Sequence, residues 1–101
     1  MPQTQTTAWD PAEHLETEDD AVAYLNAALD DGDLPLIVAA LGDIARARRM
    51  TVVAHEAGLA RESLYRSLSV DGNPEFGTVL KVMRALGLRL QAAGAASTNE
   101  D

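Results

Sequence analysis

"TVVAHEAGLARESLYRSL", residues 51–68, divides at Gly58-Leu59 into two short helical stretches. Thr51 offers an N-cap, and Val52 to Ala57 supply about two turns before Gly58. Glycine at that point can take the left-handed conformation that closes a helix at no side-chain penalty. Leu59 follows as a plug for the core. The second stretch, Arg61 to Leu68, turns Leu64 and Leu68 inward, opposite Arg61, Glu62 and Tyr65, with Ser63 and Arg66 completing a polar cluster. Ala54 and Ala57 are small where the two helices must approach closely. A short turn containing Gly between two such helices fits a helix-turn-helix, although a purely structural hairpin would carry the same small residues. The polar face shifts the balance toward DNA. Arg pairs bidentately with guanine, Glu accepts from cytosine, and Ser and Tyr bond phosphates.

The chain as a whole carries a net charge of −8, with 16 acids against 8 Lys and Arg, which at first argues against an anionic partner. The charge is segregated, however. Residues 1–45 hold ten acids and no Lys or Arg, whereas residues 46–91 hold all eight bases against four acids. The half containing the quoted stretch is therefore basic, and such asymmetry is itself a partner signal. The acidic half is either a solvated face or a surface for a basic partner.

At 101 residues the chain is the size of one domain with tails. Apolar residues make up 47%, but aromatics only 4%, so Leu, Val, Ile and Ala must build the core. No apolar run is long enough to cross a membrane, and the N-terminus lacks a signal-peptide pattern, so a cytoplasmic location is expected. The absence of Cys removes disulfides and thiolate chemistry.

Upstream of the motif, residues 1–16 read as a flexible arm with Pro2 and Pro11, in which Trp9 could dock on a partner. Thr17 can cap a helix whose first turn holds Glu18, Asp19 and Asp20. Ala21, Val22, Leu25, Ala28 and Leu29 recur at helical spacing until Asp31-Gly32-Asp33. Leu34, Ile37, Val38, Leu41, Ile44 and Ala45 form the next stripe, which runs to about Arg48. Downstream, Asp71-Gly72-Asn73-Pro74 is a turn, with Asn73 as cap and Pro74 as first helical residue. Phe76, Val79, Leu80, Met83 and Leu86 give an inward stripe that Gly87 ends. Leu88-Arg89-Leu90-Gln91 alternates with period two, which allows a short strand over 88–92, and residues 92–101 read as a disordered tail. The expectation is an all-α bundle of about five helices. Its acidic N-terminal helices occupy 17–49 and its DNA-binding region 50–91. Removing residues 1–33 is expected to spare the fold.

Enzymatic chemistry finds little to work with. His55-Glu56 begins like a zinc protease motif, but no second His follows four residues later. His14 stands alone among acids, and Asp30-Asp31-Gly32-Asp33 lacks the spacing and closing Glu of a calcium loop. No cofactor, metal or membrane partner is expected, and an enzyme is the least favoured class.

The segments "ALGDIARAR", "GLARESLYRSLS", "GNPEF" and "VLKVMRALGL" together resemble the HigA-like addiction-module antidote proteins, which carry an Xre/Cro-type helix-turn-helix. The likeness extends upstream through "WDPAEHLETEDDAVAYLNAAL" and covers about residues 8–91. It implies a type II antitoxin that neutralises a RelE/ParE-superfamily (HigB-like) toxin and represses its own operon as a homodimer on double-stranded operator DNA. By position, Thr51 to Ala57 match the first motif helix and Arg61 to Leu68 the recognition helix. Relatives usually carry a capping Ser where this chain has Ala60, and often a Gln near Thr51-Val52-Val53, so backbone anchoring is expected to be either weaker or shifted to Arg48, Arg49 and Asn73. The expected DNA contacts are Arg48, Arg49, Thr51, Arg61, Glu62, Ser63, Tyr65, Arg66 and Asn73. The acidic side suggests toxin contacts at Trp9, Glu13, Glu16, Glu18, Asp19, Asp20 and Tyr24. An unpaired strand should seek its symmetry mate, which suggests dimerisation through Leu86, Leu88 and Leu90. The rival readings are a stand-alone Xre/Cro-type repressor without a toxin and an interaction module that has lost DNA binding.

Overall fold

The computed structural model describes residues 11–69 and 71–95. A 3-10 turn, Pro11–His14, precedes five helices: α1 (Glu18–Asp31), α2 (Leu34–Ala47), α3 (Met50–Ala57), α4 (Arg61–Ser67) and α5 (Phe76–Ala85). Among the described residues the protein is all-α, without strands.

Local chemistry sets most helix ends. Thr17 and Asp20 form a capping box: the Asp20 amide donates to Thr17 Oγ1 at 3.1 Å, and the Thr17 amide donates to Asp20 Oδ2 at 3.2 Å. Gly32, at φ 79°, closes α1 by donating its amide to the Ala28 carbonyl. Gly58 and Gly87 take positive φ after α3 and α5. In each case the following leucine amide reaches back to the last turn, Leu59 to Ala54 O at 2.9 Å and Leu88 to Met83 O at 2.8 Å.

One core cluster runs through all five helices, with Leu41, Ile44, Val53, Leu64, Val82 and Leu86 as its largest fully buried side chains. α1 packs on α2, α2 on the 3-10 turn and on α3, and α3 on both α4 and α5. Gly42 permits the approach of α2 to the end of α4: a Cβ there would lie 3.0 Å from the Leu68 carbonyl oxygen. Tyr24 ties α1 to α2 by donating its hydroxyl to Asp43 Oδ2 at 2.6 Å, and Asp43 also pairs with Arg46.

Several expectations need correction. α3 starts at Met50, not after a Thr51 cap, because the Met50 side chain is buried and Arg49 makes the turn. α5 starts at Phe76 with Glu75 in the cap position, so Asn73 and Pro74 stay outside it. Phe76 and Leu80 do not face inward: they are 65% and 42% exposed, and Val82 occupies the core instead. Leu34, Val22 and Leu29 are likewise exposed. Residues 88–92 form no strand, since a strand needs a paired neighbour and the single chain offers none. Leu86, expected at a dimer face, is 1% exposed in the core, and Leu88 is half-buried against it. Only Leu90 of that trio is exposed. The expected arm is anchored at its end, where the 3-10 turn packs on α2 and Leu15 is buried. Leu15, Ala21, Leu25 and Ala28 belong to the core, which counts against the expectation that removing residues 1–33 spares the fold.

Candidate nucleic-acid interface

α3, the turn 58–60 and α4 form a helix-turn-helix unit on the basic side of the chain. Ala54 is 2% exposed at the crossing, where only a small side chain fits between two short helices. α4 is anchored through Leu64 and Leu68, 0% and 6% exposed, which leaves its other side to solvent. Arg61, Glu62, Tyr65 and Arg66 are all exposed there, and Ser63 is half-buried. The Arg61 guanidinium carbon sits 5.2 Å from the centroid of the Tyr65 ring, one turn along the helix. That stacking limits the freedom of a long side chain and presents its donors in a preferred direction. The helix lacks a side-chain cap at Ala60, so its first backbone N–H groups keep free valences at an end that favours anions.

The flanking bases divide into two uses. Arg48 is half-buried, and its Nη1 donates to the Leu86 carbonyl at 3.2 Å. It therefore clamps the end of α2 to the end of α5. A guanidinium has five N–H donors, so this bond does not exhaust it. Arg49 is exposed and holds φ 80°, the one positive φ outside glycine among the described residues. A backbone conformation of this kind costs about 1–3 kcal/mol for a residue with a side chain. Here it lets the chain turn sharply from α2 into α3 and places a cation at the start of the motif. Thr51 and Asn73 are exposed, Thr51 as the second residue of α3 and Asn73 in the loop after α4. Gly72 in that loop is tightly enclosed: a Cβ would lie 2.1 Å from the Ser67 carbonyl oxygen.

On the acidic side, Glu13, Glu16, Glu18, Asp19 and Asp20 are exposed around the start of α1. Asp20 is engaged in the capping box, and the half-buried Tyr24 is engaged with Asp43. Trp9 lies outside the described residues. Sequence reasoning did not find the Arg48–Leu86 clamp, which joins residues 38 positions apart. The Arg61–Tyr65 stacking had a usable signal, the i,i+4 spacing of a cation and an aromatic. Among the described residues no helix is long and apolar enough to cross a membrane.

A family model described as "Probable addiction module antidote protein" matches residues 5–94. An uncharacterized protein of Haemophilus influenzae is 52% identical over 87 residues, which span 86% of this chain and 90% of that protein. No solved structure matches.

Proposed function

We propose that this chain, which belongs to the probable addiction module antidote protein family, is a DNA-binding antitoxin that restrains a RelE/ParE-like toxin and represses its own operon. An antidote implies a cognate toxin partner. The observation that carries the DNA-binding part is the exposed polar face of α4, where Arg61, Glu62, Tyr65 and Arg66 project from a helix whose back is fixed by Leu64 and Leu68. A rigid back is what base readout needs, since a helix that rocks in the groove cannot hold bidentate geometry.

In this reading α4 enters the major groove. Arg61 and Glu62 meet base edges, while Arg49, Thr51, Arg66 and Asn73 position the chain on phosphates. Ser63 supports the contact from a half-buried position, and Arg48 keeps α2 and α5 in register behind it. The exposed acids at the start of α1 engage the toxin, because unlike charges speed association and exclude wrong partners. Glu13, Glu16, Glu18 and Asp19 are the side chains available for it. Two copies read the two halves of an operator.

The test is a gel shift on the chain's own promoter beside growth rescue during co-expression with the adjacent gene. The reading expects specific retardation and restored growth. Rescue without retardation would leave an antidote that does not read DNA. Retardation without rescue would leave a stand-alone repressor.

A further inference from the structure

We infer that Tyr65 is a specificity-determining residue of α4, whose ring reads the 5-methyl group of a thymine in the base pair next to the guanine that Arg61 reads. The inference rests on the proposed reading of operator DNA. It adds a base preference to that reading and gives Tyr65 a role other than a phosphate contact.

The geometry of the Arg61–Tyr65 pair fixes what each group can still do. The guanidinium carbon lies over the Tyr65 ring, 5.2 Å from its centroid. A cation–π contact of this kind occupies the flat face of the guanidinium. The N–H donors point outward in the guanidinium plane, away from the ring. They are also unspent, because Arg61 makes no hydrogen bond or ion pair among the described residues. Stacking on Tyr65 and bidentate pairing to guanine O6 and N7 are therefore compatible. Arg66, the other exposed base of α4, is held over no ring among the described residues.

Bidentate pairing puts the guanidinium in the plane of the guanine. A ring stacked on that guanidinium then lies at the level of an adjacent base pair, since successive bases are about 3.4 Å apart along the helix axis. A separation of 5.2 Å also sets the ring to one side of the guanidinium, so part of it extends past the stack. The one apolar group that base edges display in the major groove is the 5-methyl of thymine. Tyr65 is the matching group on the protein. It is 44% exposed, and the other exposed side chains of α4, Arg61, Glu62 and Arg66, are all charged. Its hydroxyl, at the ring tip, can stay hydrated while the ring covers a methyl. Leu64, 0% exposed, and Leu68, 6% exposed, hold the helix from behind and keep the ring from retreating.

The test presents a pool of randomised duplexes to the full chain and sequences the bound fraction. Selected sites should contain guanine with thymine in an adjacent base pair. The selected duplex is then remade with uracil in place of that thymine, which removes the methyl and nothing else. Binding should weaken about fourfold, the worth of one buried methyl group. This arm needs no substitution in the protein. With cytosine at the same position, methylation of its 5-carbon should tighten binding by a similar factor. Tyr65→Phe should keep both distinctions because the ring remains, whereas Tyr65→Ala should bind the thymine and uracil duplexes alike. Circular dichroism melts check that each variant is folded. The inference is overturned if uracil binds as well as thymine, if Tyr65→Ala still separates the two duplexes, or if Tyr65→Phe weakens binding to all duplexes alike, which would put the hydroxyl on a phosphate. Selection of sites without thymine beside guanine would also overturn it and leave the DNA reading standing. Retention of no duplex at all would remove both.

Discussion

Arg49 and Arg61 carry the same charge at the starts of the two helices of the motif, yet their environments separate their roles. Arg61 stacks on Tyr65 and points from the exposed face of α4, whereas Arg49 stands at a strained turn outside any helix. Arg61→Ala should cost operator binding about 1–3 kcal/mol and relax preference at one base position. Affinities on operator and scrambled duplexes decide this, since equal losses on both would remove the readout role. Arg49→Ala should weaken both duplexes alike. Arg49→Gly should weaken them to the same degree but melt at a higher temperature than Arg49→Ala, because glycine accepts φ 80° without strain. If the glycine variant is the less stable of the two, the strain argument fails. At the other end of the chain, Thr17→Ala should destabilise by about 1 kcal/mol, the usual cost of losing an N-cap.

α4 is too short to be stable by itself, so its place depends on what it touches. Leu64 is 0% exposed at the centre of the core, and Leu64→Ala should cost about 2–5 kcal/mol in a denaturant titration. The loop that follows is set by a different device. Gly72 donates its amide to the Ser69 carbonyl at 2.8 Å, and it has backbone atoms of Arg66 and Ser67 where a Cβ would sit. Gly72→Ala should therefore cost about 1–3 kcal/mol, the range for overpacking, and should displace Asn73 from its position beside the motif. A melt unchanged by Gly72→Ala would show that the loop can move away at no cost.

Across the whole molecule the two charge halves are joined by one core, which rules out separating them by truncation. α1 carries the acids but also contributes Ala21, Leu25 and Ala28 to the core. Deleting residues 1–33 should unfold the chain and so cannot report on the toxin. Neutralising exposed acids can. The triple variant Glu13→Gln, Glu16→Gln, Asp19→Asn spares the Thr17–Asp20 capping box, and each change should alter stability by no more than about 0.5 kcal/mol. Its association with the toxin should slow, and the difference from the unsubstituted chain should shrink as salt is added. Equal association rates at low salt would move the toxin site elsewhere. Operator binding should also fall with salt, with a logarithmic slope near −0.9 for each phosphate neutralised.

The sequence by itself determined where the helices lie and how most of them end. Those signals are local: Thr17 and Asp20 sit three residues apart, and Gly32, Gly58 and Gly87 need only their own φ and the preceding turn. The helix-turn-helix was legible for the same reason, since Ala54, Gly58, Leu64 and Leu68 fall within one short stretch. Which part of each apolar arc is buried was decided only by tertiary packing. On α5 the apolar residues spread over a wider arc than its neighbours can cover. α3 packs on α5, where Val82 and Met83 are buried; Leu80 is turned away from Val82 and exposed, and Phe76, on the same side as Met83 but at the first position of the helix, is exposed too. Met50 displaced Thr51 from the expected helix start because its side chain had a place in the core. Leu86 and Leu88 pack on the core because the turn at Gly87 folds the chain back onto it. Periodicity gives the direction of a side chain about its own helix axis, but the position of the neighbouring helix determines whether that direction meets protein or water.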